Sequence, residues 1–214
     1  MACDSGKNKS ASTKNLSLVC LGDSLTAGHG AVIPGVDDKS RSYPAFIQDK
    51  ITIPVINAGV SGDTSAQGLA RVNDVLSENP RIVIIELGAN DLLQGVPITV
   101  TQNNLQEIIA GIKNEGRKIY IAKFYTETIA REMIHTLRIT AGYNEQTELI
   151  KQYDEMFNSL AISNNAELIE NIWTGVWGIN MSDDIHPNEN GYKIMAENYF
   201  KALKPYLEAN NLLK

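Results

Sequence analysis

Arg81-Ile-Val-Ile-Ile-Glu-Leu87 is the most apolar run of the chain, and it breaks off at the polar turn Gly88-Ala-Asn-Asp91. A strand that reads apolar along its whole length must be covered on both faces, as central strands of parallel sheets are. Parallel neighbours require long, usually helical crossovers. The flanking sequence supplies them. Strands are predicted at Leu16–Leu21, Ile53–Asn57, Lys118–Ala122 and Ala166–Glu170. Between them, apolar residues recur three or four apart in Tyr43–Lys50, from Asp63 or Thr64 to about Glu78, from about Gln102 to Asn114, and in Glu145–Asn164. A last helix is expected from about Glu189 to Leu203, with Pro205 stopping or kinking it. The alternation predicts an α/β chain with about five parallel strands, right-handed crossovers and helices on both faces. Only Phe124–Gly142 breaks the pattern, with a weak helical spacing through Ile129, Met133 and Leu137.

The 214 residues, 43% of them hydrophobic, suffice for one domain with a full core, expected to span residues 15–214. A net charge of -6 and the absence of a basic stripe argue against nucleic acid as a partner. No apolar run approaches the roughly 18 residues that a membrane helix needs. Residues 1–14 form a polar leader that buries too little surface to order itself. Ala2-Cys3 followed by this tether resembles the mature start of a bacterial lipoprotein. That resemblance implies a lipid anchor at Cys3 and a place in the cell envelope or periplasm; the alternative is a plain leader on a cytoplasmic protein. Cys20, inside the first strand, reads as a small buried hydrophobe.

In a parallel sheet the carboxyl ends of the strands share one edge, so residues following different strands converge there. The first strand delivers Ser24 through Gly22-Asp-Ser24, the second ends at Gly59, and the third at Asn90. The loop entering the last helix adds Asp183 and His186, stiffened by Pro187 and capped by Asn188. These are the residue types that acyl transfer requires. A serine hydroxyl needs a neighbouring base, and an imidazole takes and returns a proton near neutral pH. Of three histidines, His29 lies close to the serine in sequence and His135 in the weakly patterned segment, which leaves His186 as the base. A carboxylate three residues earlier, Asp183, can fold back to hold the imidazole, whereas Asp184 is expected in solvent. The backbone N–H of Ser24, the N–H of Gly59 and the side-chain amide of Asn90 are the candidate oxyanion donors.

Gly22-Asp-Ser-Leu25, Gly59, Gly88-Ala-Asn-Asp91 and Asp183-Asp-Ile-His-Pro187 resemble the four signature blocks of the GDSL, or SGNH, hydrolases, in the same order. Asn57-Ala-Gly-Val-Ser-Gly-Asp-Thr-Ser65 and Gln67-Gly-Leu-Ala-Arg71 are similar to the second block of the bacterial thioesterase I/lysophospholipase L1 and arylesterase branch. The resemblance implies a flavodoxin-like three-layer α/β/α sandwich. It also implies a cofactor-free serine hydrolase of ester or thioester bonds, acting on a small acyl-ester or lipid-like substrate. Ser24 would be its nucleophile, His186 its base and Asp183 the orienting carboxylate, with Gly59 and Asn90 in the oxyanion hole. The chain departs from many relatives at Asp184, where glycine is usual, at His29, where an aromatic residue is frequent, and throughout Phe124–Gly142.

Two other chemistries are weighed against this one. Trp173 and Trp177 could stack on sugar rings, which would suit a carbohydrate O-acetyl esterase on the same fold. Asp23, Asp91, Asp183 and Asp184 could hold a divalent metal for phosphoryl transfer, although Asp23 and Asp91 read better as loop residues bonded to nearby backbone. An apolar groove formed by Val60, Ile129 and Val176 would favour fatty acyl chains.

Overall fold

Ser17–Gly22 (β1), Val55–Gly59 (β2), Pro80–Glu86 (β3), Lys118–Ala122 (β4) and Glu167–Ile169 (β5) pair side by side in parallel in the computed structural model. The structure describes residues 16–113, 116–124 and 143–214; the leader with Cys3, and the segment with Ile129, Met133, His135 and Leu137, lie outside them. The strand order is β2-β1-β3-β4-β5, the flavodoxin-like arrangement. Its topological switch point falls between β1 and β3, where the chain departs in opposite directions and leaves a crevice at the carboxyl edge.

Strand pleating divides the core into two layers. Leu18, Cys20, Ile82, Ile84, Tyr120 and Ala122 face one layer, built on Tyr43–Gln48 (α2) and Glu189–Ala209 (α8). Val19, Leu21, Val83, Ile85, Ile119 and Ile121 face the other, built on Ile98–Ile112 (α6) and Tyr143–Asn164 (α7). Each large aliphatic side chain so buried contributes roughly 1.5–3 kcal/mol. The short helices Ser24–Ala27 (α1), Ser65–Ala70 (α3), Val72–Ser77 (α4) and Ala89–Leu93 (α5) gather near the carboxyl edge or lead away from it.

One expectation is corrected and another narrowed. The helix expected from residue 63 or 64 to 78 is two helices broken at Arg71, whose guanidinium donates to Asp63, to the carbonyl of Ala58 and to that of Gly22. Those bonds tie the ends of β1 and β2 to the turn that follows. Of the two outcomes expected at Pro205, the stop does not occur: α8 continues to Ala209. Pro205 is solvent-exposed, so water can satisfy the carbonyl it deprives of a partner, while Leu203 and Leu207 on either side are fully buried and hold the helix on the sheet. No helix among the described residues is long and apolar enough to cross a membrane.

Candidate active site

β1 ends at Gly22 because nothing larger fits there: a Cβ would lie 2.0 Å from Thr26 Oγ1. The chain turns at once into α1, whose N-cap is Asp23 and whose first residue is Ser24. The side chain of Asp23 accepts from the N–H of Leu25 at 3.1 Å, as expected of a loop residue bonded to nearby backbone. Being first in its helix, Ser24 has an N–H without an intrahelical acceptor.

The loop before α8 reaches the same point from the far end of the chain. His186 Nε2 lies 3.0 Å from Ser24 Oγ, and Nδ1 lies 2.8 Å from Asp183 Oδ2. Asp183 Oδ1 also accepts the backbone N–H groups of Ile185 and His186, which locks the fold-back. Asp184 points to solvent, as expected. Burial lowers the pKa of His186 below its ordinary value, although the bond to Asp183 pulls the other way. Burial alone would raise Asp183, but the N–H of Ile185 and the imidazole hold it below the usual carboxylate range.

Asn90, in α5, donates from Nδ2 to the carbonyl of Asp63 at 3.0 Å and to Asp23 Oδ2 at 3.2 Å. Gly59 is not where an oxyanion donor must be. Its N–H donates to Asn57 Oδ1 at 2.9 Å, and a Cβ there would meet Ala27 N at 2.4 Å. Glycine at 59 therefore allows α1 to pack on the end of β2. The residue that lines the cavity is Gly62, whose φ of +86° is in the left-handed region and whose N–H has no acceptor among the described residues. The sequence signal for it was the second glycine of Gly59-Val-Ser-Gly62, set in a turn before the Thr64 cap rather than at the strand's end.

Ser24, Asn90, Gly62 and His186 open on a cavity of about 240 Å³ whose apolar wall includes Leu25, Ala89, Leu93, Phe124, Trp173 and Ile185. The groove expected from Val60, Ile129 and Val176 is not this wall: Val176 is fully buried in the core, Val60 is exposed, and Ile129 is outside the described residues. Trp173 is 2% exposed and donates its indole N–H to the carbonyl of Phe124 at 2.6 Å, so it offers no face for sugar stacking. The four aspartates weighed as metal ligands are not brought together. Asp91 is buried and accepts from Ser65 N, Ser65 Oγ and Thr101 Oγ1, while Asp184 is in solvent.

Behind the serine lies a pair of acids not foreseen from the sequence. Glu86, fully buried at the end of β3, accepts from Thr26 Oγ1 at 3.1 Å and stands close enough to Asp23 for each to feel the other's charge. Burial, then the charge of its neighbour, raises Glu86 well above its ordinary value, and burial raises Asp23 to about 7. Both native pKa values exceed the unfolded ones, so the folded state binds more protons and loses stability as the pH climbs from about 4 through 7. A Glu86→Gln amide can donate to Asp23 without a proton. The variant is therefore expected to melt close to the wild type at pH 5 and increasingly above it towards pH 8, by about 2–4 °C for each kcal/mol. Calorimetry showing a constant difference across that range would contradict the raised pKa values of these two acids.

The profile of the family described as "GDSL-like Lipase/Acylhydrolase family" matches residues 20–194. The chain is 30% identical over 199 residues to "Esterase TesA" of Pseudomonas aeruginosa, covering 89% of each chain. It is 32% identical over 201 residues to "Thioesterase 1/protease 1/lysophospholipase L1" of Escherichia coli (strain K12), covering 88% of this chain and 83% of that one. A solved structure described as "Crystal Structure of TesA" superposes with a TM-score of 0.70 at 29% identity, over 88% of this chain and 98% of the other. With a serine at the switch point, an imidazole in contact with it and a family match running from β1 into α8, this chain belongs to the GDSL-like lipase/acylhydrolase family.

Proposed function

We propose that the protein hydrolyses carboxylic ester or thioester bonds of acyl substrates through an acyl-enzyme on Ser24, without a cofactor. The observation that carries this reading is the unbroken relay Asp183–His186–Ser24, with contacts of 2.8 and 3.0 Å. Ser24 Oγ attacks the acyl carbonyl carbon as His186 Nε2 takes its proton, and Asp183 stabilises the imidazolium. The carbonyl oxygen, now an anion, meets the N–H groups of Ser24 and Gly62 and the amide of Asn90. The intermediate collapses when the C–O or C–S bond breaks and the leaving alkoxide or thiolate takes the proton from His186. Water, deprotonated by the same imidazole, then attacks the acyl-serine and releases the acid and the free hydroxyl.

The apolar wall of the cavity supports an acyl chain as the group held there, and the esterase and thioesterase relatives support the bond type. Hydrolysis of p-nitrophenyl esters from two to sixteen carbons, with a fluorophosphonate probe for a reactive serine, tests the reading. A protein that neither turns over any ester of the series nor takes the label does not have this function.

Asn90 gives a separate prediction. Its amide is held before substrate arrives, and an oxyanion would displace the longer of its two contacts, that to Asp23. Asn90→Ala is expected to lower kcat about 10²–10³-fold with KM little changed, as for a contact made in the transition state. A large rise in KM at unaltered kcat would instead make Asn90 a ground-state binding residue.

A further inference from the structure

Two imidazole–carboxylate pairs stand side by side at the cavity, and hydrolysis uses only one. His29 Nδ1 lies 2.6 Å from Asp37 Oδ1, which also accepts from Ser61 Oγ at 2.6 Å. The rings of His29 and His186 are 4.4 Å apart between centroids, tilted by 54°. The backbone of His29 is fixed on both sides: its N–H donates to the carbonyl of Ser24 at 3.0 Å, and its own carbonyl accepts from Tyr192 OH at 2.9 Å. Together, His29, His186 and Asp183 offer ligand atoms that all lie within 4.8 Å of one another.

An imidazole tied to a carboxylate through Nδ1 presents the lone pair of Nε2, the arrangement that metal-binding histidines use to fix their tautomer. His29 has such a partner in Asp37, whereas Asp183 sits on Nδ1 of His186, so a metal that takes both Asp183 and His186 takes the imidazole through Nδ1 in place of their hydrogen bond. Two neutral imidazoles with nearby carboxylates suit Zn²⁺, Cu²⁺ or Ni²⁺ and do not suit Mg²⁺ or Ca²⁺, which prefer all-oxygen sets. We propose that His29, His186 and Asp183 form a reversible inhibitory site for a divalent transition metal such as Zn²⁺. The inhibition, though not the binding, rests on the role of His186 proposed above. A neutral imidazole has a single lone pair. A metal on Nε2 occupies it, and a metal on Nδ1 leaves the proton on Nε2, so either way Ser24 loses its proton acceptor.

Zn²⁺ titrated into wild type hydrolysing p-nitrophenyl acetate is expected to inhibit, EDTA to restore the full rate, and Mg²⁺ and Ca²⁺ at equal concentration to do neither. His29→Phe keeps a ring beside His186 and removes the ligand. It is expected to need at least about 10-fold more Zn²⁺ for half inhibition, relative to its own metal-free rate, and Asp37→Asn about 10-fold more, as for loss of a partner behind the ligand. Equal sensitivity of His29→Phe and wild type overturns the site. Calorimetric titration of Zn²⁺ into Ser24→Ala and into Ser24→Ala/His29→Phe reads binding without turnover: a site weakened at least about 10-fold by the second change supports the proposal, and identical isotherms overturn it. A wild type that binds Zn²⁺ through His29 but hydrolyses nothing without metal would sink the proposed function and leave the binding site standing.

Discussion

Ser24→Ala is expected to lower kcat by about 10⁴–10⁶-fold and to abolish labelling by a fluorophosphonate, with the fold unchanged. The size follows from the unit to which the hydroxyl belongs. Without Oγ there is no nucleophile for His186 to activate, and only the oxyanion donors and substrate binding continue to help a direct attack by water. The fold tolerates the change because His186 is the side-chain partner the half-buried hydroxyl has, and no core contact depends on it. Competing serines are otherwise employed. Ser65 is buried with its hydroxyl on Asp91, and the hydroxyl of Ser61 is on Asp37. Intact-mass and peptide analysis after labelling decides the matter: a label that persists in the variant places the nucleophile elsewhere.

Asp183→Asn should lower kcat by about 10²–10⁴-fold, the range expected when an imidazole loses the carboxylate that sets its tautomer. It should also move the pH profile, and the sign is informative. The base works as neutral imidazole, which predominates above its pKa, and burial already holds the pKa of His186 below its ordinary value of 6.5. The acid limb of the wild-type profile therefore falls below pH 6.5. Asp183 opposes that depression through its hydrogen bond and its charge, so removing the charge lets the pKa fall further. The variant is expected to be slower at every pH and to keep its plateau to lower pH than the wild type. An acid limb that shifts upward would mean that Asp183 is not the partner the imidazole feels.

What the residues disclosed in advance depended on how local the physics was. The five strands and the edge on which they end follow from runs of apolar residues, because burial on both faces leaves no polar alternation. Ser24, Asp183 and His186 stood out because few residue types can do nucleophilic and general-base work, and the structure brings those three side chains together. Gly59 and Gly62 could not be told apart along the chain. One is glycine so that Ala27 can approach, the other because its φ is positive, and only the packed α1 shows which N–H is left for a substrate. The break at Arg71 was hidden for the same reason, since its acceptors on Ala58, Gly22 and Asp63 come from other elements. Pro205 does not stop its helix, because two buried leucines hold on the sheet the turn that a local rule would end. Glu86 lay unremarked in an apolar run, and its neighbour Asp23 appears only when β1 and β3 pair.

The contact between His186 and Ser24 spans 162 residues. At roughly 5–20 residues per second, a ribosome therefore makes the serine about 8–30 s before it makes the histidine. A nascent chain stays hydrolytically silent for that whole interval, and a message truncated anywhere ahead of the His186 codon yields a polypeptide with the hydroxyl and without the imidazole that activates it.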